Sequence, residues 1–153
     1  NDEQHITDAY VPVIDFDYGN TGNPSVTYDL TPLYGDNADS VTRTFTFADE
    51  QWITVLDQFT INANTESLTW QMMTTADVDL NERGAVLSQN GEQIWVEIQQ
   101  PENVKFSVRM LDPPPSQHDI LISGLKRMEI HLPAHFLKGR EGSFLVRFSP
   151  IIE

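Results

Sequence analysis

Cysteine is absent from this 153-residue chain. That removes disulfides, thiol nucleophiles and every cysteine-based zinc site, while leaving cytosol and periplasm equally open. Histidine is scarce, with four in all, which leaves little from which to build a zinc centre, and no metal or other cofactor is expected in the chain. Cations are short as well. Nine Lys and Arg stand against 23 Asp and Glu, for a formal net charge of −14. Nucleic-acid binding needs Lys and Arg to displace condensed counterions, so a polynucleotide is not expected as a partner. No apolar run approaches the roughly 20 residues of a membrane helix, and no membrane partner is expected. No window shows a convincing amphipathic-helix period. The chain begins at Asn1 without a signal-peptide pattern, as a processed protein or a cut piece would.

What is present is period-two alternation. Val41, Phe45 and Phe47 share one face, as do Ile53, Val55, Phe59 and Ile61, then Leu68, Trp70 and Met72. Ile94, Val96 and Ile98 follow, then the run from Val104 to Met110, then Met128, Ile130 and Leu132, and finally Phe144, Val146 and Phe148. Turn residues separate the runs at Gly19-Asn20, Gly35-Asp36, Asn90-Gly91, Pro113 to Pro115 and Gly139 to Gly142. Short strands at intervals of about 8–12 residues predict an all-β fold, an antiparallel sandwich of roughly 10–12 strands. Residues 1–153 are expected to form one such domain.

Two hairpins can be set in register. Asn90-Gly91 suits a two-residue turn with positive φ at both positions, which sets Leu87 opposite Ile94, Ala85 opposite Val96 and Val86 opposite Trp95. A turn at Asp49 and Glu50 sets Phe47 opposite Ile53, Phe45 opposite Val55 and Val41 opposite Phe59. The same register brings Arg43 opposite Asp57 on the apolar parity, where a lone charge is costly and a paired one tolerable. A partly buried structural ion pair is expected there.

Charge is unevenly spread. Residues 1–57 hold eleven carboxylates and one cation, Arg43, whereas residues 126–147 hold five cations against Glu129 and Glu141. Lys126, Arg127, Lys138 and Arg140 are therefore the candidate anion-facing surface, the plainer alternative being a solvated cluster.

Other motifs carry less. His131 and His135 have the spacing of helical metal ligands, but strand-like alternation should keep the rings apart. Ser116-Gln117-His118-Asp119 holds three triad residue types, yet triad members converge from separate segments, so a polar loop is expected. Asp15-x-Asp17-x-Gly19-Asn20 and Asp77-x-Asp79-x-Asn81 are similar to calcium loops without completing the twelve-residue pattern, and read as Asp/Asn turns. Gly139-Arg140-Glu141-Gly142 lacks the Lys-Ser/Thr of a phosphate loop and reads as a hairpin connection. Trp95 points outward by parity and Trp52 sits at a strand start. Flat rings of this kind stack on sugars, or are covered by neighbouring protein.

The stretch Asp29-Leu30-Thr31 with Tyr34, Val41 to Phe45, Ile53 to Asp57 and Trp70 to Thr74 resembles the latter part of the β-sandwich in heparinase II/III-like polysaccharide lyases. Ala85-Val86-Leu87 with Gln89-Asn90-Gly91 is similar to a later hairpin of that family, and Phe144 to Phe148 with Ser149-Pro150 to its closing strand. The resemblance implies a non-catalytic portion, from the C-terminal part of a larger, periplasmic or secreted lyase, that supports an α/α toroid. Such enzymes cleave uronic-acid-containing glycans by β-elimination, a base taking the C5 proton. The family's catalytic Tyr and His belong to parts not matched here, so no residue inherits a catalytic role. An acidic polysaccharide is an implied partner, and this acidic chain points to a less charged uronate polymer. The alternative is an autonomous carbohydrate-binding module with Trp95 and Trp52 as platform.

Overall fold

A computed structural model describes residues 10–19, 22–82, 84–116 and 119–151. The order of strands is β1 (Val13–Asp17), β2 (Ser25–Asp29), β3 (Ala38–Ala48), β4 (Trp52–Ile61), β5 (Ser67–Thr74) and β6 (Asp77–Leu80). Then come β7 (Gly84–Gln89), β8 (Glu92–Gln100), β9 (Phe106–Met110), β10 (Lys126–Pro133) and β11 (Glu141–Pro150). They make two antiparallel sheets. One has eight strands in the order β1-β2-β3-β4-β11-β8-β7-β6, and the other has three, β5-β10-β9.

Both hairpin registers follow from the alternation. In β7–β8, Leu87 faces Ile94 and Val86 faces Trp95, across a turn with Asn90 at φ +54° and Gly91 at φ +87°. In β3–β4, Phe47 faces Ile53, Arg43 faces Asp57 and Val41 faces Phe59. There Asp49 and Glu50 both take positive φ, a conformation that L-residues with a full side chain adopt at some cost.

The core lies where the small sheet covers the large one. Val41, Phe59, Val96, Phe144 and Val146 of the large sheet meet Trp70, Phe106, Met128, Ile130 and Leu132 of the small one. Met128, Ile130, Val96 and Val146 have no exposed surface, and each such side chain contributes about 1.5–3 kcal/mol by leaving water. Val104 packs against this core from the loop before β9, which begins at Phe106 rather than two residues earlier.

Two stretches expected to be turns are strands along most of their length, and only their ends turn, Gly19 back to Asp17 and Gly84 back to Asn81. Asp15 and Asp17 lie on β1, and Asp77 and Asp79 on β6, which are the two edges of the eight-stranded sheet. Carboxylates interleaved with apolar residues keep an exposed edge from pairing with another chain. Asn20 falls outside the described residues. The segment Gly139–Gly142 is not a hairpin connection either. β10 belongs to the small sheet and β11 to the large one, so it carries the chain between layers. Gly142 is needed at the landing point, because a Cβ there would stand 2.6 Å from the Phe59 ring.

Three strands cannot cover eight. On one inner face of β3, Val41 is buried while Phe45 and Phe47 keep 37% and 44% of their surface. On β4, Val55 and Phe59 are buried and Ile53 is exposed. With Phe16, Tyr18 and Val26 these side chains form an uncovered apolar corner at the β1-β2-β3 end. A groove there is lined by Tyr18, Val26, Phe45, Phe47 and Ile53. Edge-to-face ring pairs, Phe16 with Tyr18 and Tyr28 with Phe45, run beside it.

Candidate functional site

The hairpin register of β3 and β4 places Arg43 beside Asp57, and the guanidinium closes on the carboxylate with both prongs. Nε and Nη2 each donate to one carboxylate oxygen at 2.6 Å. Asp57 is the buried charged residue among the described residues, 6% exposed, and a bidentate pair satisfies it better than a point charge could. Hydrogen bonding to Asp57 holds the Arg43 pKa above the ordinary arginine value against the opposing effect of burial.

Asp57 also lines a cavity of about 340 Å³ between the sheets, together with Tyr34, Phe59, Phe144, Glu66 and Thr69. Its mouth is stitched by side chains. Asn62 and Asn64 donate to the Asp36 carbonyl at 3.1 and 3.0 Å, and the Thr65 hydroxyl donates to the Asn37 carbonyl at 2.5 Å. Burial, and then the Asp57 carboxylate, push the Tyr34 phenol above its ordinary value of 10.0.

Trp52 and Trp95 share the outer face of the eight-stranded sheet, on strands that flank β11. Both are half-buried. Arg147 lies over Trp52, its Cζ 5.6 Å from the ring centroid, and its Nη2 bonds Glu97 at 2.7 Å. Trp95 leans along β7 so closely that a Cβ at Gly84 would stand 3.0 Å from its Cζ2. Trp52 thus already carries a cation–π partner, and Trp95 has the backbone of Gly84 beneath its edge.

The four basic residues that are close in sequence do not converge. Lys126 and Pro133 bound β10, and seven steps along a strand put Lys126 roughly 23 Å from the end that leads to Lys138. Lys126 donates to the Ala76 carbonyl at 3.0 Å and stands 3.6 Å from Asp77. Arg127 pairs with Glu129, and Arg140 pairs with Asp39 while donating to the Ile61 carbonyl at 2.9 Å. Lys138 is exposed and lies with Lys105 and His131 around a second cavity of about 550 Å³. Lys105 was not legible as its companion, since it sits on the β8–β9 connection, far away in sequence.

Of the remaining motifs, His131 on β10 meets Thr69 at 3.3 Å, while His135 lies in the short 3₁₀ turn Ala134–Phe136 against the Phe136 ring. Ser116 and Asp119 bond each other across a turn, and Gln117 and His118 fall outside the described residues. Asp17 accepts from the Gly19 amide and Asn81 from the Gly84 amide. Among the described residues, no three His, Asp or Glu side chains stand together as metal ligands.

Solved structures carry the same architecture. A mutant of heparan sulfate lyase HepC from Pedobacter heparinus matches with TM-score 0.65 and 12% identity, over 94% of this chain and 22% of that one. A heparinase III matches with TM-score 0.63 and 14% identity, over 94% and 21%. This chain has the fold of a heparinase-type lyase segment. It spans about a fifth of the length of the lyases it matches. At these identities the likeness is one of fold. No protein-family model matches the chain, and no curated protein does. The sites described above are this chain's own.

Proposed function

We propose that this chain is a non-catalytic sandwich portion of a heparinase II/III-like polysaccharide lyase, and that its uncovered apolar corner packs against the parent's α/α toroid. The corner carries the reading. Phe16, Tyr18, Phe45, Phe47 and Ile53 stand exposed on the face that elsewhere forms the core, and a contiguous apolar patch of this kind marks a protein interface. The fold supports the same reading, because in the matched lyases it makes up about a fifth of a longer chain. The bond-breaking chemistry belongs to the parent, in the periplasm or outside the cell. With a net charge of −14, this portion suits a parent acting on a less charged uronate polymer. Any direct contact with an acidic glycan falls to Lys105 and Lys138 rather than to the paired Lys126 and Arg127.

The carbohydrate-platform alternative needs a free aromatic face. Arg147 occupies the face of Trp52, and Trp95 offers its outer side alone, so docking is preferred. The test is co-expression of the chain with the toroid segment of its parent, followed by size-exclusion chromatography. A stable complex is expected, and Phe47→Asp with Ile53→Asp should abolish it while circular dichroism stays unchanged. Independent elution of the unmutated pair would overturn the reading.

A further inference from the structure

The cavity beside the Arg43–Asp57 pair has the features of a built site. Its base is a carboxylate that is more than nine-tenths buried and held in one orientation by two bonds from Arg43. Those bonds use one lone pair on each oxygen, and a carboxylate offers about four acceptor sites, so one on each oxygen is left over. Phe59 and Phe144, their rings 5.5 Å apart and tilted by 49°, close the inner end, and the Tyr34 ring, 42% exposed, supplies apolar surface at the opening. Around the opening stand Asn37, Asn64 and Thr65, and β5 borders it along residues 67–69, where the Thr69 hydroxyl turns outward to His131. An aromatic wall with a few fixed polar groups is the usual composition of a small-molecule site.

Charge narrows the ligand. Asp57 is already neutralised by Arg43, which removes the reason for a cation to enter. Glu66 lines the opening and Asp36 lies in the loop bonded to it, while Asp39 at the start of β3 is balanced by Arg140. The unpaired charge is negative, so an anion is disfavoured. What remains is a neutral group that brings its own donors. We propose that this cavity binds a neutral polyhydroxylated ligand, a sugar residue or polyol, with two vicinal hydroxyls donating to the two Asp57 oxygens. The ring C–H face lies against Tyr34 at the opening. This site is on the inner side of the sandwich, separate from both tryptophans and from the apolar corner, so it stands whether or not the docking reading does.

The test is a ¹⁵N–¹H titration of the chain with methyl α-D-glucopyranoside, methyl α-D-mannopyranoside and glucuronate. Saturable shifts are expected at the amides of Asn37, Thr65, Leu68 and Thr69 with at least one neutral glycoside, and glucuronate should bind at least about tenfold more weakly, a difference of about 1.4 kcal/mol. Asn64→Trp, at an exposed position of the opening, should remove the shifts while circular dichroism stays unchanged. Glu66→Gln should narrow the gap between glucuronate and the neutral probes. No saturable shift up to the solubility limit of the probes, or shifts confined to Trp52 and Trp95, would overturn the proposal.

Discussion

Cutting the Arg43–Asp57 pair from either side should give unequal losses, because the two partners are unequally buried. The Asp57 side chain is 9% exposed and that of Arg43 26%. Arg43→Met strands a carboxylate inside the sandwich, and loss of one partner of a buried pair costs about 3–5 kcal/mol. Asp57→Leu leaves a guanidinium that still reaches solvent, so about 1–3 kcal/mol is expected. For a domain of this size each kcal/mol moves Tm by about 2–4 °C. Arg43→Met should therefore melt roughly 6–20 °C below the parent. The double variant Arg43→Met/Asp57→Leu removes both charges and should recover most of the loss, since an apolar replacement of a buried pair is often neutral. Equilibrium urea unfolding with a common slope would read all four corners of the cycle. The raised Arg43 pKa means that its contribution is complete below the unfolded arginine value and is lost only above it, so the cycle should be flat around neutral pH. A cost below about 1 kcal/mol for Arg43→Met, as for a surface pair, would refute the reasoning. Strict additivity of the two single losses would do the same.

Gly84→Ala puts a Cβ 2.1 Å from the Val96 carbonyl oxygen and against the Trp95 ring. A loss of about 3 kcal/mol is expected, with a shift in tryptophan emission, and unchanged stability would refute the close approach. Glu50→Gly relieves a residue at φ +55°. It should raise stability by about 0.5–1 kcal/mol, the left-handed cost less the extra backbone entropy of glycine, as read by thermal unfolding. Tyr34 has a folded pKa above its ordinary 10.0, so its contribution is complete below pH 10.0 and is lost as pH rises through the folded value. Tyr34→Phe should flatten the alkaline fall of stability in a urea series from neutral pH upward, and a parallel fall in both proteins would contradict the shift.

What could be read from the chain was set by local rules. Period-two alternation and a turn dipeptide determine a hairpin completely, which is why the partners of Val86 and Phe45 follow without a structure. The edge strands resisted the same reading, since Asp alternating with Phe, Val or Leu has the composition of a turn. Only their place at the sheet margins explains the carboxylates. Nothing near Gly139 says which layer the next strand will join. The cavity was illegible for a similar reason. Tyr34, Asp57, Glu66 and Phe144 come from four separate segments, and only the stacking of β5 over β3, β4 and β11 assembles them. The basic residues erred the other way, near in sequence yet spread along a strand and largely paired.

The position of β11 bears on how this chain reaches its native state. β11 lies between β4 and β8, and its pairing with both joins the β1–β4 meander to the β6–β8 meander. Until residues 141–150 have left the ribosome, the eight-stranded sheet exists only as two separate halves with an unpaired strand facing each gap. Each half can form its local hairpins early, but the long-range closure must wait for the last strand, and contacts of such high sequence separation form slowly. During synthesis the exposed sides of β4 and β8 are the places where a holding chaperone would act and where misassembly would begin.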